Sequence, residues 1–310
     1  MMDLNLKPIN LTNNNVMTLD ELCKLCSLRL KNIYTQYADN IPAPELKNAI
    51  DYSLLNNGKY LRPLLIYATG YAFAAPWENL DIPAATVELI HTYSLIHDDL
   101  PCMDNADLRR GKPTCHKIYG DGMAVLTGDA LHTLAIYLMA SHPAPLTAEK
   151  RVQMMTALTH ACGPHGMAAG QALDILPAGA QTMSIDYLEK MYRLKTGALL
   201  SACIELGRLS SANEDSHTQH ALKIFGDCIG LAFQIQDDIL DIETATEILG
   251  KPQAIDDKNN KCTYPQLIGL EKAKEKVQSL YHQALTAIQA LDQHANLLRE
   301  LTERMLKRDR

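Results

Sequence analysis

Asp98 and Asp99 close the apolar segment Ser94-Leu-Ile-His-Asp-Asp, and a third carboxylate, Asp104, follows just beyond Pro101. Proline disfavours helix in the residue before it, so the aspartate pair falls in the last turn of a helix, at the negative end of its dipole. Two carboxylates held within ~4 Å repel by about 4 kcal/mol at an effective dielectric of 20. A bound divalent cation reverses the sign of each of these terms, and oxygen-only ligands point to Mg²⁺ or Mn²⁺ rather than zinc. Far downstream, Gln234 precedes Asp237-Asp238-Ile-Leu-Asp241. Helical spacing puts Gln234, Asp237 and Asp241 on one face. Either cluster alone reads as a solvated helix end; two, each with a third aspartate at a reachable offset, favour metal binding.

The basic residues are placed for anions. In Gly58-Lys59-Tyr-Leu-Arg62-Pro63, Pro63 is positioned to open a helix, with Lys59 and Arg62 at its positive end and Gly58 allowing backbone to approach a ligand. Arg109 and Arg110 precede Gly111 and Pro113, where a turn aims two planar guanidinia at phosphate oxygens. His91 lies seven residues before Asp98, two turns below it on nearly the same face. A lone helical histidine is more often a packed core residue, and Lys195-Thr196, within an apolar helical pattern, has snorkelling as its bland alternative. Gln171 and Asp174, three apart, are weaker candidates. No Gly-Lys pair is followed by Ser or Thr, so a Walker-type nucleotide loop is unsupported.

With these motifs, from about Leu46 to Leu270, the chain resembles the trans-prenyltransferases, the short-chain isoprenyl diphosphate synthases, and among them most closely the bacterial farnesyl diphosphate type. Asp98-Asp99-Leu-Pro-Cys-Met-Asp104 is similar to the first aspartate-rich motif of that family and Asp237-Asp238-Ile-Leu-Asp241 to the second. The resemblance implies an isoprenoid synthase helical bundle with a central cavity and the two aspartate helices facing each other across its mouth. It implies three Mg²⁺ ions per site, held by Asp98, Asp99, Asp104, Asp237, Asp238 and Asp241. Isopentenyl diphosphate would be bound by Gly58, Lys59, Arg62, His91 and Arg110, and the allylic dimethylallyl or geranyl diphosphate by Arg109, Lys195, Thr196 and Gln234. Asn105 and Ala106 stand where the family often has further acids. An aromatic five residues before the first motif, here Tyr93, goes with a farnesyl product, with small Ser94 leaving the upper channel open. Cys102-Met103-Asp104-Asn105 also looks like plant geranylgeranyl synthases.

The elements that must position these groups read as helical throughout. Only 5% of the 310 residues are aromatic, strict alternation is scarce, and apolar residues recur at three-and-four spacing, so an all-α chain is expected. Helices are predicted over 19–37, from 45, over 81–99, 123–140, 147–161, 184–209, 271–291 and 296–306. The polar stretch 250–265 reads as a lid whose Lys251 and Lys261 close over phosphate. Residues 1–16 lack periodicity and are expected to form a mobile extension to one synthase domain over 17–310. The net charge of −7 argues against nucleic acid. Cys23-Lys-Leu-Cys26 has no second Cys-x-x-Cys pair to make a zinc site, and eight cysteines in helical patterns suit a reducing cytoplasm. No apolar run approaches the ~18 residues of a membrane span, so a soluble protein, a homodimer by resemblance, is expected. A cyclase or hydrolase shares the metal logic but has no use for a second anion site, and a non-catalytic partner subunit has no use for both acidic motifs.

Overall fold

In a computed structural model of the chain, the described residues are 17–38, 40–55, 58–141, 146–175, 184–212, 215–249 and 262–306, with the side chains of 244–249 excepted. The extension 1–16 and the lid lysines Lys251 and Lys261 lie outside them. The all-α expectation holds: among the described residues the sole strands are a pair of two-residue segments. The backbone divides into two compact units, 1–156 with 206–212, and 157–205 with 213–310.

The first unit contains α1 (Leu19–Ala38), α2 (Pro44–Leu54), α3 (Leu61–Ala72), α4 (Trp77–Asp98), β1 (Leu108–Arg109), β2 (Lys112–Pro113), α5 (Cys115–Tyr119), α6 (Asp121–Ser141) and most of α7 (Ala148–Cys162). At its centre is α4, in which every residue from Asn79 to Ile90 is buried. A helix apolar on all sides is a core helix. It begins four residues before the predicted Asp81, because Trp77 and Glu78 extend it upstream and Pro83 sits inside it. Arg29 Nε meets Asp81 Oδ1 at 2.5 Å, and the hydroxyl of buried Tyr67 donates to the same oxygen at 2.7 Å. This charge is fully enclosed and fully answered.

Helix α6 is long and apolar enough to cross a membrane by length and composition alone, a test that a core helix also passes. Asp121, Asp129 and His132 interrupt it, so no continuous apolar run marks it in the sequence, while its many Ala, Leu and Met residues keep the average high. Val125, Leu126 and Tyr137 remain exposed on it.

The second unit holds α8 (Met167–Asp174), α9 (Ile185–Tyr192), a π-turn (Arg193–Gly197), the start of α10 (Ala198–Leu209), α11 (Ser216–Leu249), α12 (Tyr264–Ile268), α13 (Leu270–Ala287), a 3₁₀ turn (Gln293–Ala295) and α14 (Asn296–Leu306). The π-turn and α13 both pack on α11, which carries the second acidic motif.

Breaking a buried ion pair from one side leaves an uncompensated charge costing about 3–5 kcal/mol. Arg29→Met should therefore lower the unfolding free energy by that order in a urea titration, and a variant as stable as the parent would show that Asp81 does not depend on Arg29.

Candidate active site

The end of α4 delivers the first aspartates in two directions. Consecutive helical residues diverge by about 100° around the axis. Asp98 is half-buried, whereas Asp99 is 3% exposed and turned onto Arg109. Arg109 Nε donates to both Asp99 oxygens at 2.9 Å, and Nη2 to Oδ1 at 2.6 Å. Burial would depress the Arg109 pKa, but Asp99, with Asp98 and Asp104 behind it, holds it above the usual value. Asp99, expected to hold metal, and Arg109, expected to contact diphosphate, are thus paired with each other. The turn after α4 is closed by backbone bonds from Asp104 N to Asp98 O (2.9 Å), Asn105 N to Leu100 O (3.0 Å) and Ala106 N to Asp99 O (3.2 Å). These bring the Asp104 backbone back beside Asp98.

The cationic residues gather around His91. Its pKa is held well below the usual value by burial and then by the charges of Arg62, Arg110 and Arg109. The imidazole is therefore neutral near pH 7 and can donate one N–H to an anion without adding charge. Three guanidinium charges converging on one neutral ring are what an anion would relieve. Lys59 is exposed, and Tyr60, which precedes α3, is in the left-handed region at φ 48°. Ser94 Oγ donates to His91 O at 2.9 Å, so it makes no polar demand on a channel. The Tyr93 ring is packed edge-on against His97 and against His132 of α6, with centroids 5.8 and 5.0 Å away.

In the second unit, the predicted continuous helix over 184–209 is interrupted by the π-turn, which carries Lys195 and Thr196. Such turns cluster at functional sites. Lys195 Nζ lies 2.7 Å from Asp174 Oδ2, and Thr196 Oγ1 donates to Gln234 Oε1 at 2.9 Å. Gly197, the predicted weak point, packs against Gly230 of α11, and the close approach constrains Gly230: a Cβ built there would lie 2.6 Å from Gly197 Cα, whereas one built on Gly197 would meet nothing nearer than 3.6 Å. Both carboxamide atoms of Gln171 are buried with no hydrogen-bond partner.

The second motif divides as the first does. Asp237 is half-buried and Asp241 exposed, whereas Asp238 is 6% exposed. Its Oδ2 accepts from Tyr192 OH (2.5 Å) and from Tyr264 N (2.8 Å). Burial pushes its pKa up to about 6 against the pull of the hydrogen bonds from Tyr192, Tyr264 and Gln234. Asp238, expected to hold metal, thus has its Oδ2 engaged by protein donors. Tyr192 and Tyr264 were missed by sequence reasoning, although Thr263-Tyr-Pro-Gln266 has the Thr-x-x-Gln spacing of a capping box and forms one.

The remaining oxygens suit Mg²⁺. Among the described residues no group of three or more His, Cys, Asp or Glu side chains forms a ready metal cage, and Mg²⁺ takes one or two carboxylates and completes its shell with water and phosphate oxygens. The orphaned Gln171 carboxamide is a further polar group awaiting a partner. A separate cavity of about 710 Å³ in the second unit, walled by Ala161, Arg193, Ala202, His220 and Asp227, includes none of the motif residues. Its cations Lys223 and Arg193 are already paired, with Asp227 at 2.6 Å and with Glu189 at 3.6 Å.

The Polyprenyl synthetase family model matches residues 43–300. The chain belongs to the polyprenyl synthetase family. It is 43% identical to the farnesyl diphosphate synthase of Escherichia coli K12, over 87% of this chain and 91% of that one. It is also 43% identical to a chloroplastic geranylgeranyl pyrophosphate synthase of Capsicum annuum, over 80% of this chain and 67% of that one. The crystal structure of a geranyltransferase from Legionella pneumophila superposes with a TM-score of 0.84 at 34% identity, covering 94% of this chain and 97% of that one. The all-α fold of this polyprenyl synthetase is thus a fold shared with solved prenyltransferases.

The two aspartates of the second motif should separate by experiment. Asp238→Ala strips Tyr192 OH and Tyr264 N of a buried acceptor and should cost about 1–3 kcal/mol of stability. Asp237→Ala should leave thermal stability near the parent's and abolish turnover. Equal loss of stability in both variants would refute the division of labour.

Proposed function

We propose that this polyprenyl synthetase is a farnesyl diphosphate synthase, condensing isopentenyl diphosphate head-to-tail with dimethylallyl and then geranyl diphosphate and releasing pyrophosphate each time. The observation that carries the activity is the pairing of two aspartate motifs with a separate arginine cluster around neutral His91, since condensation needs two anion sites where a cyclase or hydrolase needs one. The match over residues 43–300, which runs through both compact units, supports one synthase domain over 17–310.

In this reading Asp98, Asp104, Asp237 and Asp241 would hold Mg²⁺, which would supply positive charge to a leaving diphosphate. Arg109 and Lys195, now paired with Asp99 and Asp174, stand ready to take up charge as the allylic C–O bond breaks and pyrophosphate leaves with the electron pair. Lys251 and Lys261 close over the phosphates. Thr196 and Gln234, hydrogen-bonded to each other, face the allylic cation. Lys59, Arg62 and Arg110 hold isopentenyl diphosphate while His91 donates one N–H to it. The double bond of isopentenyl diphosphate attacks the cation, and a proton passes to the released pyrophosphate. No protein nucleophile takes part. An apolar channel keeps water from quenching the cation.

A homodimer gives the exposed apolar side chains of α6 and of Val152 on α7 a partner without a bilayer. None of the eight cysteines is in a disulfide, in keeping with a cytoplasmic enzyme.

Purified protein given dimethylallyl and isopentenyl diphosphates with Mg²⁺ should yield elongated product, lose turnover in chelator and regain it with Mg²⁺. Undiminished activity in chelator, or consumption of the allylic substrate alone, would sink the reading.

Product length tests a finer point. Residues four and five before Asp98 lie about 6 and 7.5 Å down α4 at ~1.5 Å per residue. Ser94 is small, while Tyr93 is bulky and braced by His97 and His132, so a longer tail would overpack the channel at a cost of ~1–3 kcal/mol. Tyr93→Ala should shift the product from farnesyl to longer chains. The Capsicum relative keeps the geranylgeranyl alternative in view: a parent enzyme that already makes mainly geranylgeranyl diphosphate would show that Tyr93 is not the floor.

A further inference from the structure

Strands β1 and β2 pair with Leu108 opposite Pro113 and Arg109 opposite Lys112, leaving Arg110-Gly111 as a two-residue loop with φ of 52° and 75°. Positive φ at both loop positions is the mirror-image turn that fits hairpin twist, and Asn, Asp or Gly is preferred at the first of them. An L-residue with a larger side chain is strained in that conformation, because its Cβ crowds the following carbonyl oxygen. Arginine at this tip therefore needs a reason. The hairpin is tied down at its base, where Tyr52 OH donates to Pro113 O at 2.6 Å and Thr114 Oγ1 to Ala106 O at 2.8 Å. From this fixed base the Arg110 side chain reaches Gly58. A Cβ built on Gly58 would lie 2.9 Å from Nη1 and 3.5 Å from both Cζ and Nη2. Gly58 is not among the glycines with positive φ. Its backbone does not require glycine; the space above it does. The field on the opposite charge is consistent: Glu88, buried on α4 three residues before His91, feels the charges of Arg62 and Arg110.

We propose that Gly58 is a positioning residue, the seat on which the Arg110 guanidinium rests and is aimed at the diphosphate of isopentenyl diphosphate, rather than a substrate contact itself. This rests on the reading of Arg110 as part of the isopentenyl diphosphate site. A methyl group on Gly58 displaces the far end of a flexible side chain, so it disturbs aim more than folding.

The test is steady-state kinetics and thermal unfolding of Gly58→Ala, Arg110→Ala and the double variant. Gly58→Ala should keep the parent's melting temperature and its KM for the allylic substrate, while KM for isopentenyl diphosphate rises about tenfold, the equivalent of one misplaced charge-assisted hydrogen bond. On the Arg110→Ala background the same change should do nothing further. A parental KM for isopentenyl diphosphate in Gly58→Ala, or an effect that adds in full to that of Arg110→Ala, overturns the seat. An unchanged KM in Arg110→Ala overturns instead the site assignment beneath it.

Discussion

Adjacent carboxylates on a helix cannot both face one ligand, because the rotation of about 100° per residue turns one of them away. Each motif in this chain resolves that constraint in the same manner. The first aspartate stays accessible, and the second is buried and bound by protein donors: Asp99 by Arg109, Asp238 by Tyr192 and Tyr264. A buried carboxylate is tolerable only when hydrogen bonds replace its lost hydration. The inward aspartates therefore recruit structure. Asp99 fastens the β1–β2 hairpin to the end of α4, and Asp238 fastens the start of α12 to α11. The more accessible aspartates, Asp98 and Asp237, are held in place by their neighbours.

The same economy governs the cations. Arg109 and Lys195 are each held by a carboxylate, Asp99 and Asp174, so their long side chains are ordered before any phosphate arrives. Ordering a rotamer-rich side chain beforehand lowers the cost of binding. Around His91 the balance is different. Arg62, Arg110 and Arg109 all act on a ring that carries no charge of its own, and buried Glu88 answers Arg62 and Arg110. A chain with net charge −7 can thus offer a locally positive pocket to a diphosphate.

Much of this was legible in the sequence, for physical reasons that also mark where legibility stops. Periodicity located α1, α2, α7 and α14 because each has one apolar stripe. It started α4 late, since a helix buried on every side has no stripe to end. The aspartate motifs pointed to a metal site through a repulsion that a cation would relieve, but the motif alone does not show that helical rotation turns Asp99 and Asp238 onto protein donors. The π-turn left one trace, Gly197, because the Gly230 backbone that packs on it is more than thirty residues away in the chain. The hydroxyl of Tyr192 and the backbone of Tyr264 find Asp238 through tertiary packing, which no local pattern encodes.

Regular helix also limits how many charges can converge on one small anion, since successive side chains fan outward. Apart from His91 within α4, the cations assigned to diphosphate, with the metal candidate Asp104, accordingly lie where helix begins, ends or is interrupted. Lys59 and Arg62 flank Tyr60 at the start of α3, Asp104 precedes Asn105 in the turn after α4, and Arg110 forms the hairpin tip; Tyr60, Asn105 and Arg110 all have positive φ. Lys195 and Thr196 occupy the π-turn. Strained backbone costs roughly 1–3 kcal/mol per residue and persists where surrounding packing over-determines it. Here the packing is supplied by the all-helical cores of the two units, so the stability of the helices underwrites the irregular segments that do the binding.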